Sequence, residues 1–217
     1  MHAIAILISG RGSNMKALID ACAGDDFPAQ VALVISNRAN APGLALAQEA
    51  GIETRVIDHA DYPSREAFDN VVEDALLAAN VDTVCLAGFM RILSIQFAAR
   101  WQGRILNIHP SLLPAFPGLK PWAAAIDAGV RVSGCTVQYV TPELDAGPII
   151  GQAAVPVYHD DTPEDLAARI LAEEHKLYPA CLRLVAEGKV KFGHGRAVFR
   201  NAEPPLWLVP AERDRGQ

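Results

Sequence analysis

Three short stretches of this sequence carry polar side chains of the types that do chemistry. In Ile105-Leu106-Asn107-Ile108-His109-Pro110-Ser111-Leu112-Leu113-Pro114, Asn107 and His109 stand two residues apart. If Ile105 to His109 is a strand, both project from one face while the flanking aliphatics go to the other. An amide donor beside an imidazole suits a reaction that passes through an oxyanion. The prolines that follow stiffen a loop that has no obvious packing duty. In Leu144-Asp145-Ala146-Gly147-Pro148, an aspartate before glycine is by itself an ordinary turn former. It acquires a chemical reading only with His109 beside it. The third stretch is Ser9-Gly10-Arg11-Gly12-Ser13-Asn14. Its glycines permit close backbone approach, and the free amides of a following helix would bind an anion such as a phosphate. The spacing fits neither the P-loop nor the G-x-G-x-x-G dinucleotide pattern, and the loop also reads as a plain strand-to-helix turn.

These stretches fall at the ends of alternating strand and helix signals, the pattern of an α/β protein with an open, mostly parallel, Rossmann-like sheet and helices on both faces. Apolar runs at Ala3 to Ser9, Gln30 to Ser36, Glu53 to Ile57, Thr83 to Ala87 and Ile105 to His109 read as strands. Helices are expected over Asn14 to Ala23, Pro42 to Ala50 with Gly51 as its cap, Ser64 to Ala79, and briefly around Ala123 to Ala128. Ser133 to Val140 and Ile149 to Val157 flank the aspartate turn as a hairpin. From Thr162 as N-cap, with Pro163 at the first helical position and Asp165 in a capping-box place, a long helix should run. Ligands in such sheets bind outside the carboxyl ends of the strands, where the first and third stretches lie. The expectation is a single domain over 1–200, with a poorly ordered tail over 201–217 that contains three prolines and mixed charge.

At 217 residues the chain can bury roughly 70% of its unfolded surface, ample for an independent core. A formal charge of -6 and the lack of a basic run argue against nucleic acid and anionic membranes as partners. The apolar runs are short and interrupted, so a membrane span is not expected. The N-terminus lacks the basic n-region of a signal peptide. Cys22, Cys85, Cys135 and Cys181 are widely spaced, with no neighbouring histidines at zinc-ligand spacing, so no metal site is expected. They read as reduced thiols of a cytoplasmic protein. Small-molecule chemistry is the remaining class.

Taken together, ISGRGSN, ISNRANAPGLALA, LAGFMRILS, NIHPSLLP and LDAGPII closely resemble the signatures of the glycinamide ribonucleotide formyltransferases, in that family's order and from Ala3 to about Val190. The resemblance implies transfer of a formyl group from 10-formyltetrahydrofolate, a cosubstrate, to the amine of glycinamide ribonucleotide in purine biosynthesis. It implies Asn107, His109 and Asp145 as the catalytic trio. Gly12, Ser13, Asn14 and Glu174 would bind the ribonucleotide. Arg65, Met90, Arg91, Ile92, Leu93, Asn107, Thr141, Pro142, Glu143, Leu144 and Asp145 would line the folate site. The amine would attack the formyl carbon directly, with Asn107 and protonated His109 holding the oxyanion and Asp145 orienting His109. No lysine or cysteine stands in these motifs to suggest a covalent formyl-enzyme. The chain departs from the family pattern at Leu171, where relatives often carry a polar residue, and at Lys120-Pro121-Trp122, where many carry histidines. Methionyl-tRNA formyltransferases share the trio but append a basic domain, and formyltetrahydrofolate deformylases usually add an N-terminal regulatory one. A silent phosphate-binding module would explain only the Gly-rich loop. A monomer or a homodimer fits the sequence equally.

Overall fold

A computed structural model of the chain describes residues 1–210. β1 (His2–Ile8) leads through α1 (Ser13–Cys22) to β2 (Ala29–Ser36), and α2 (Gly43–Glu49) leads to β3 (Thr54–Val56). Next come α3 (Arg65–Ala78), β4 (Thr83–Leu86), α4 (Ile95–Arg100), β5 (Ile105–His109) and α5 (Pro121–Asp127). β6 (Val132–Tyr139) and β7 (Ile149–Pro156) precede the long α6 (Pro163–Ala186). β8 (Val190–Gly193), β9 (Arg196–Phe199) and β10 (Leu206–Leu208) complete the order.

Eight strands form one sheet in the order β10-β7-β6-β5-β4-β1-β2-β3, and β8 and β9 pair separately. β1 to β5 run parallel, while β6 is antiparallel to both β5 and β7. The expected mostly parallel Rossmann-like sheet is therefore present, with an antiparallel hairpin added beside β5.

β1 shows why the parallel strands read as continuous apolar runs. Ile4, Ile6 and Ile8 enter one core with Met15 and Leu18 of α1 and Ile170, Leu177 and Tyr178 of α6. Ala5 and Leu7 enter the other, with Phe68, Val72 and Leu76 of α3 and Phe97 of α4. A strand covered on both faces has no polar side to alternate with. Helix starts are set by local side chains. Ser64 accepts from Ala67 N–H, Ser94 accepts from Phe97 N–H, and Thr162 with Asp165 forms the capping box that the sequence predicts.

The region past Asn201 departs from expectation. Leu206–Leu208 pairs in parallel with β7, bounded by Gln152 N–H to Pro205 C=O and Val209 N–H to Ala154 C=O, both 2.9 Å. Trp207 Nε1 donates to Glu173 Oε2 at 2.7 Å. The partner that orders this segment is the open edge of β7, so its signal is absent from the local sequence. Residues 211–217 lie outside the described residues. The sequence reading also missed α4 and the β8–β9 hairpin, which turns on His194 (φ 51°) and Gly195 (φ 70°), the two positive-φ residues of a primed turn.

β1 is flanked by β2 on one side and β4 on the other, so chain order reverses there. The carboxyl ends of β1, β4 and β5 open onto the crevice that this reversal creates.

Candidate active site

The loop after β1 turns at Gly12, whose φ of 76° makes it the left-handed N-cap of α1 without a side-chain cap. A Cβ there would sit 3.0 Å from both Gly43 Cα and Met15 Cε, so glycine is required by conformation and by space. The first-turn N–H groups of α1 have no partner within their own helix and face an anion-favouring dipole end. Asn14 turns inward instead, its Nδ2 donating to Glu174 Oε2 at 2.6 Å. Burial pushes the Glu174 carboxyl above the usual carboxylate range, against the opposing pull of that bond. The predicted substrate residues Gly12, Ser13, Asn14 and Glu174 thus meet where α1 and α6 pack together.

On β5, Leu106 and Ile108 pack into the α1/α6 core while Ile105 packs into the opposite one. Asn107 and His109 share the face of Ile105, as their spacing predicts. His109 is buried, with Nε2 3.2 Å from Phe116 C=O and Nδ1 3.6 Å from Asp145 Oδ1. Asp145 Oδ2 accepts from Gly118 N–H at 2.9 Å, which fixes the carboxylate's other oxygen.

This meeting of His109 and Asp145 is not implied by strand order. β6 runs antiparallel to β5, with His109 opposite Thr136 and Leu106 opposite Tyr139. The 140–148 loop therefore starts at the far end of β5 from His109 and must fold back along the sheet to reach it. Two residues permit the reversal. Asp145 itself adopts φ 52°, a conformation that aspartate tolerates better than most. At Gly147 a Cβ would overlap the Tyr139 carbonyl.

The loop after His109 is pinned by polar groups on the same sheet face. Thr136 Oγ1 donates to Ser111 C=O at 2.7 Å and accepts from Leu113 N–H at 3.0 Å. Gln152 Nε2 donates to both Leu113 C=O and Thr136 Oγ1 at 3.0 Å. Ser111 Oγ donates to Ala115 C=O at 2.6 Å. These positioning residues were missed in the sequence; the available signal was Thr136 and Gln138 two places apart in β6 and a lone Gln152 in an otherwise apolar β7.

The predicted folate residues divide into anchors and an open rim. Met90, Ile92 and Leu144 are more than half exposed, whereas Leu93 is buried. The Arg91 guanidinium lies 4.7 Å from the Phe68 ring centroid. Asp69, fully buried, accepts from Ser94 N–H at 2.6 Å and closes the far end of the 88–94 segment. Burial pushes its carboxyl up, opposed by the bonds from Ser94. Thr141 Oγ1 donates to Glu143 C=O at 3.2 Å, while Pro142 and Glu143 are exposed and Arg65 sits exposed at the start of α3. Among the departures, Lys120 is the left-handed N-cap of α5 and Trp122 packs on the core. Leu171 is half-buried on α6. No group of three or more His, Cys, Asp or Glu side chains with metal-holding geometry occurs among the described residues, and none of their helices is long and apolar enough to cross a membrane.

Residues 2–182 match the family described as formyl transferase. The chain is 44% identical over 204 residues to the phosphoribosylglycinamide formyltransferase of Escherichia coli, covering 93% of this chain and 96% of that one. It is 52% identical over 190 residues to the trifunctional purine biosynthetic protein adenosine-3 of Gallus gallus, covering 88% of this chain but only 19% of that protein. A crystal structure of glycinamide ribonucleotide transformylase 1 from Symbiobacterium toebii superposes with a TM-score of 0.89 at 51% identity, over 92% of this chain and 94% of the other. The family match over residues 2–182, with coverage of nearly the whole bacterial enzymes and a matching fold, places this chain in the formyl transferase family, on its phosphoribosylglycinamide formyltransferase branch.

Proposed function

We propose that this protein transfers the formyl group of 10-formyltetrahydrofolate to the amine of glycinamide ribonucleotide in de novo purine biosynthesis. The observation that carries the reading is the His109–Asp145 pair at 3.6 Å, on the sheet face of Asn107 at the end of β5, next in the sheet to β4, whose following segment carries the exposed rim of Met90 and Ile92 and bonds to the β1 end that leads into the anion-favouring α1 loop. The Escherichia coli relative, whose name is that activity, supports the same assignment.

In this mechanism the ribonucleotide phosphate docks on Gly12, Ser13 and Asn14, and Glu174 contacts its glycinamide arm. Arg65, Met90 to Leu93 and Thr141 to Asp145 receive the folate. The amine attacks the formyl carbon and the carbonyl π electrons move onto oxygen, giving a tetrahedral intermediate. Asn107 Nδ2 and the His109 imidazolium donate to that oxyanion, His109 through Nε2, which exchanges Phe116 C=O for the oxyanion while Nδ1 keeps facing Asp145, each such donor being worth roughly 3 to 4 kcal/mol of barrier. Asp145 orients the imidazole. Collapse of the intermediate expels the folate nitrogen, which takes up a proton as the former amine loses one. Four unpaired cysteines, three of them buried, suit a reducing cytoplasm, and the catalytic groups of one chain suffice for a monomer or each half of a homodimer.

The test is to incubate purified protein with 10-formyltetrahydrofolate, with and without glycinamide ribonucleotide, and to follow tetrahydrofolate and formyl-ribonucleotide together. Formyl transfer that depends on the amine is expected. Equal tetrahydrofolate and free formate without the ribonucleotide would make the protein a hydrolase and overturn the reading.

A further inference from the structure

Ser9, the last residue before the α1 loop, is buried and directs both its N–H and its hydroxyl to two neighbouring loops. Its N–H donates to Gly88 C=O at 3.2 Å, and its Oγ accepts from Met90 N–H at 2.7 Å. Its hydroxyl proton goes to Asn37 Oδ1 at 2.6 Å. A hydroxyl has one proton, so by taking it Asn37 leaves an Oγ lone pair facing the Met90 amide. Asn37 is itself held: it is buried, its N–H reaches Ile8 C=O at 3.4 Å, and its C=O and Nδ2 meet His59 Nδ1 at 3.1 and 3.3 Å.

One residue further on, Gly10 C=O accepts from Gly43 N–H at 3.0 Å, and Gly12 packs against Gly43. Ser9 therefore joins the start of the α1 loop to the 88–90 segment through two bonds, while its hydroxyl proton is held by Asn37. Asp69, which holds Ser94 at the other end of that segment, has no such bond to the α1 loop.

We propose that Ser9 is a positioning residue that couples the two substrate sites, so that filling the α1 loop with the ribonucleotide orders the Met90 segment for the folate, and the reverse. This rests on the functional reading above for which ligand goes to which loop. Coupling of this kind is reciprocal: each ligand tightens the other by the same factor. The Asp69 anchor tunes folate affinity alone.

The experiment measures tetrahydrofolate, which has no formyl group to transfer, binding calorimetrically to the full-length protein with and without saturating glycinamide ribonucleotide. In the wild type the ribonucleotide should tighten tetrahydrofolate roughly five-fold or more, within the usual range of site coupling. Ser9→Ala should bring that factor close to one, and amide hydrogen exchange at Met90 should accelerate. Asp69→Asn should weaken tetrahydrofolate while keeping the coupling factor. Asn37→Ala keeps the Ser9 hydroxyl but frees its proton, so it should lower the factor in a second, independent background and decides the matter where Ser9→Ala does not fold. Wild-type coupling in a folded Ser9→Ala or Asn37→Ala protein overturns the inference, as does a wild type without coupling. A wild type that binds neither ligand overturns the functional reading, and this inference with it.

Discussion

The carboxyl end of β5 and the rim around Met90, Ile92 and Leu144 belong to one crevice but are built in opposite ways. At the carboxyl end of β5 the groups around His109 have defined partners. His109 lies between Phe116 C=O and Asp145, Asp145 is fixed by Gly118 N–H, and the intervening loop is held by Thr136 and Gln152. At the rim the large side chains are apolar and exposed, with Met90 at 64% and Leu144 at 59%. Catalysis that stabilises developing charge needs donors fixed before the reaction begins. Recognition of a flat ligand face by apolar side chains needs surface that loses water only when the ligand arrives. On the proposed reading the same crevice would separate rate from affinity, and substitutions should respect that division.

The largest effect expected is on kcat at the rigid end. Asn107→Ala removes a donor aimed at charge that exists only during reaction, so kcat should fall by roughly 100-fold or more with both KM values little changed. Asp145→Asn should cost a similar factor, because the amide cannot present two carboxylate oxygens to His109 and Gly118. Combined with His109→Ala, the loss should be far less than multiplicative, as for residues acting as one unit. Steady-state kinetics of the single and double variants checks both statements, and independent multiplicative losses would reduce Asp145 to a turn former.

Thr136→Val keeps the shape but deletes the hydroxyl that serves Ser111 C=O, Leu113 N–H and Gln152. Two buried backbone groups would be stranded, at about 1 to 3 kcal/mol each. Chemical denaturation should register that loss, and kcat should fall with it because His109 and Asp145 both lean on this loop. A variant with lower stability but unchanged kcat would show that the loop needs less support than its bonding implies.

At the rim the pattern should invert. Met90→Ala removes an exposed side chain whose burial by ligand is worth about 1.5 to 3 kcal/mol. The KM for the formyl folate should rise roughly ten-fold or more, with kcat and Tm close to wild type. A fall in kcat alone would erase the division between the two regions.

The same division explains what was legible in the sequence. β5 was read with its observed bounds, and the faces of Asn107 and His109 follow from a period of two. The α6 start was legible because Thr162, Pro163 and Asp165 carry their signal within one turn. Asp145 could not be separated from an ordinary turn aspartate, because its partner is reached by a loop folding back along two antiparallel strands. Thr136 and Gln152 face the site only through the register of β5, β6 and β7, and β10 exists through the edge of β7. Short α4 and the β8–β9 hairpin were lost for lack of length.

The smallest expected effect lies where α6 meets the start of α1, and it sets stability against function. Glu174 is buried on α6 and bonded to Asn14 Nδ2, yet Asn14 Oδ1 is buried without a donor. Burial raises the Glu174 carboxyl above its ordinary value of 4.5, so ionising it costs more in the folded protein than in the unfolded chain. Below 4.5 both states are protonated and the cost is absent. It grows as pH rises from there through the folded-state value and is fully present above it. Glu174→Gln removes the charge, keeps an oxygen for Asn14 Nδ2 and supplies an N–H for Asn14 Oδ1. The variant should show a small rise in Tm at neutral pH that shrinks to nothing as the solution is acidified toward 4.5, while the KM for the ribonucleotide rises. Melting curves across that range decide the matter: a neutral-pH Tm at or below wild type would mean that the carboxylate contributes more to the α1–α6 contact than its burial costs.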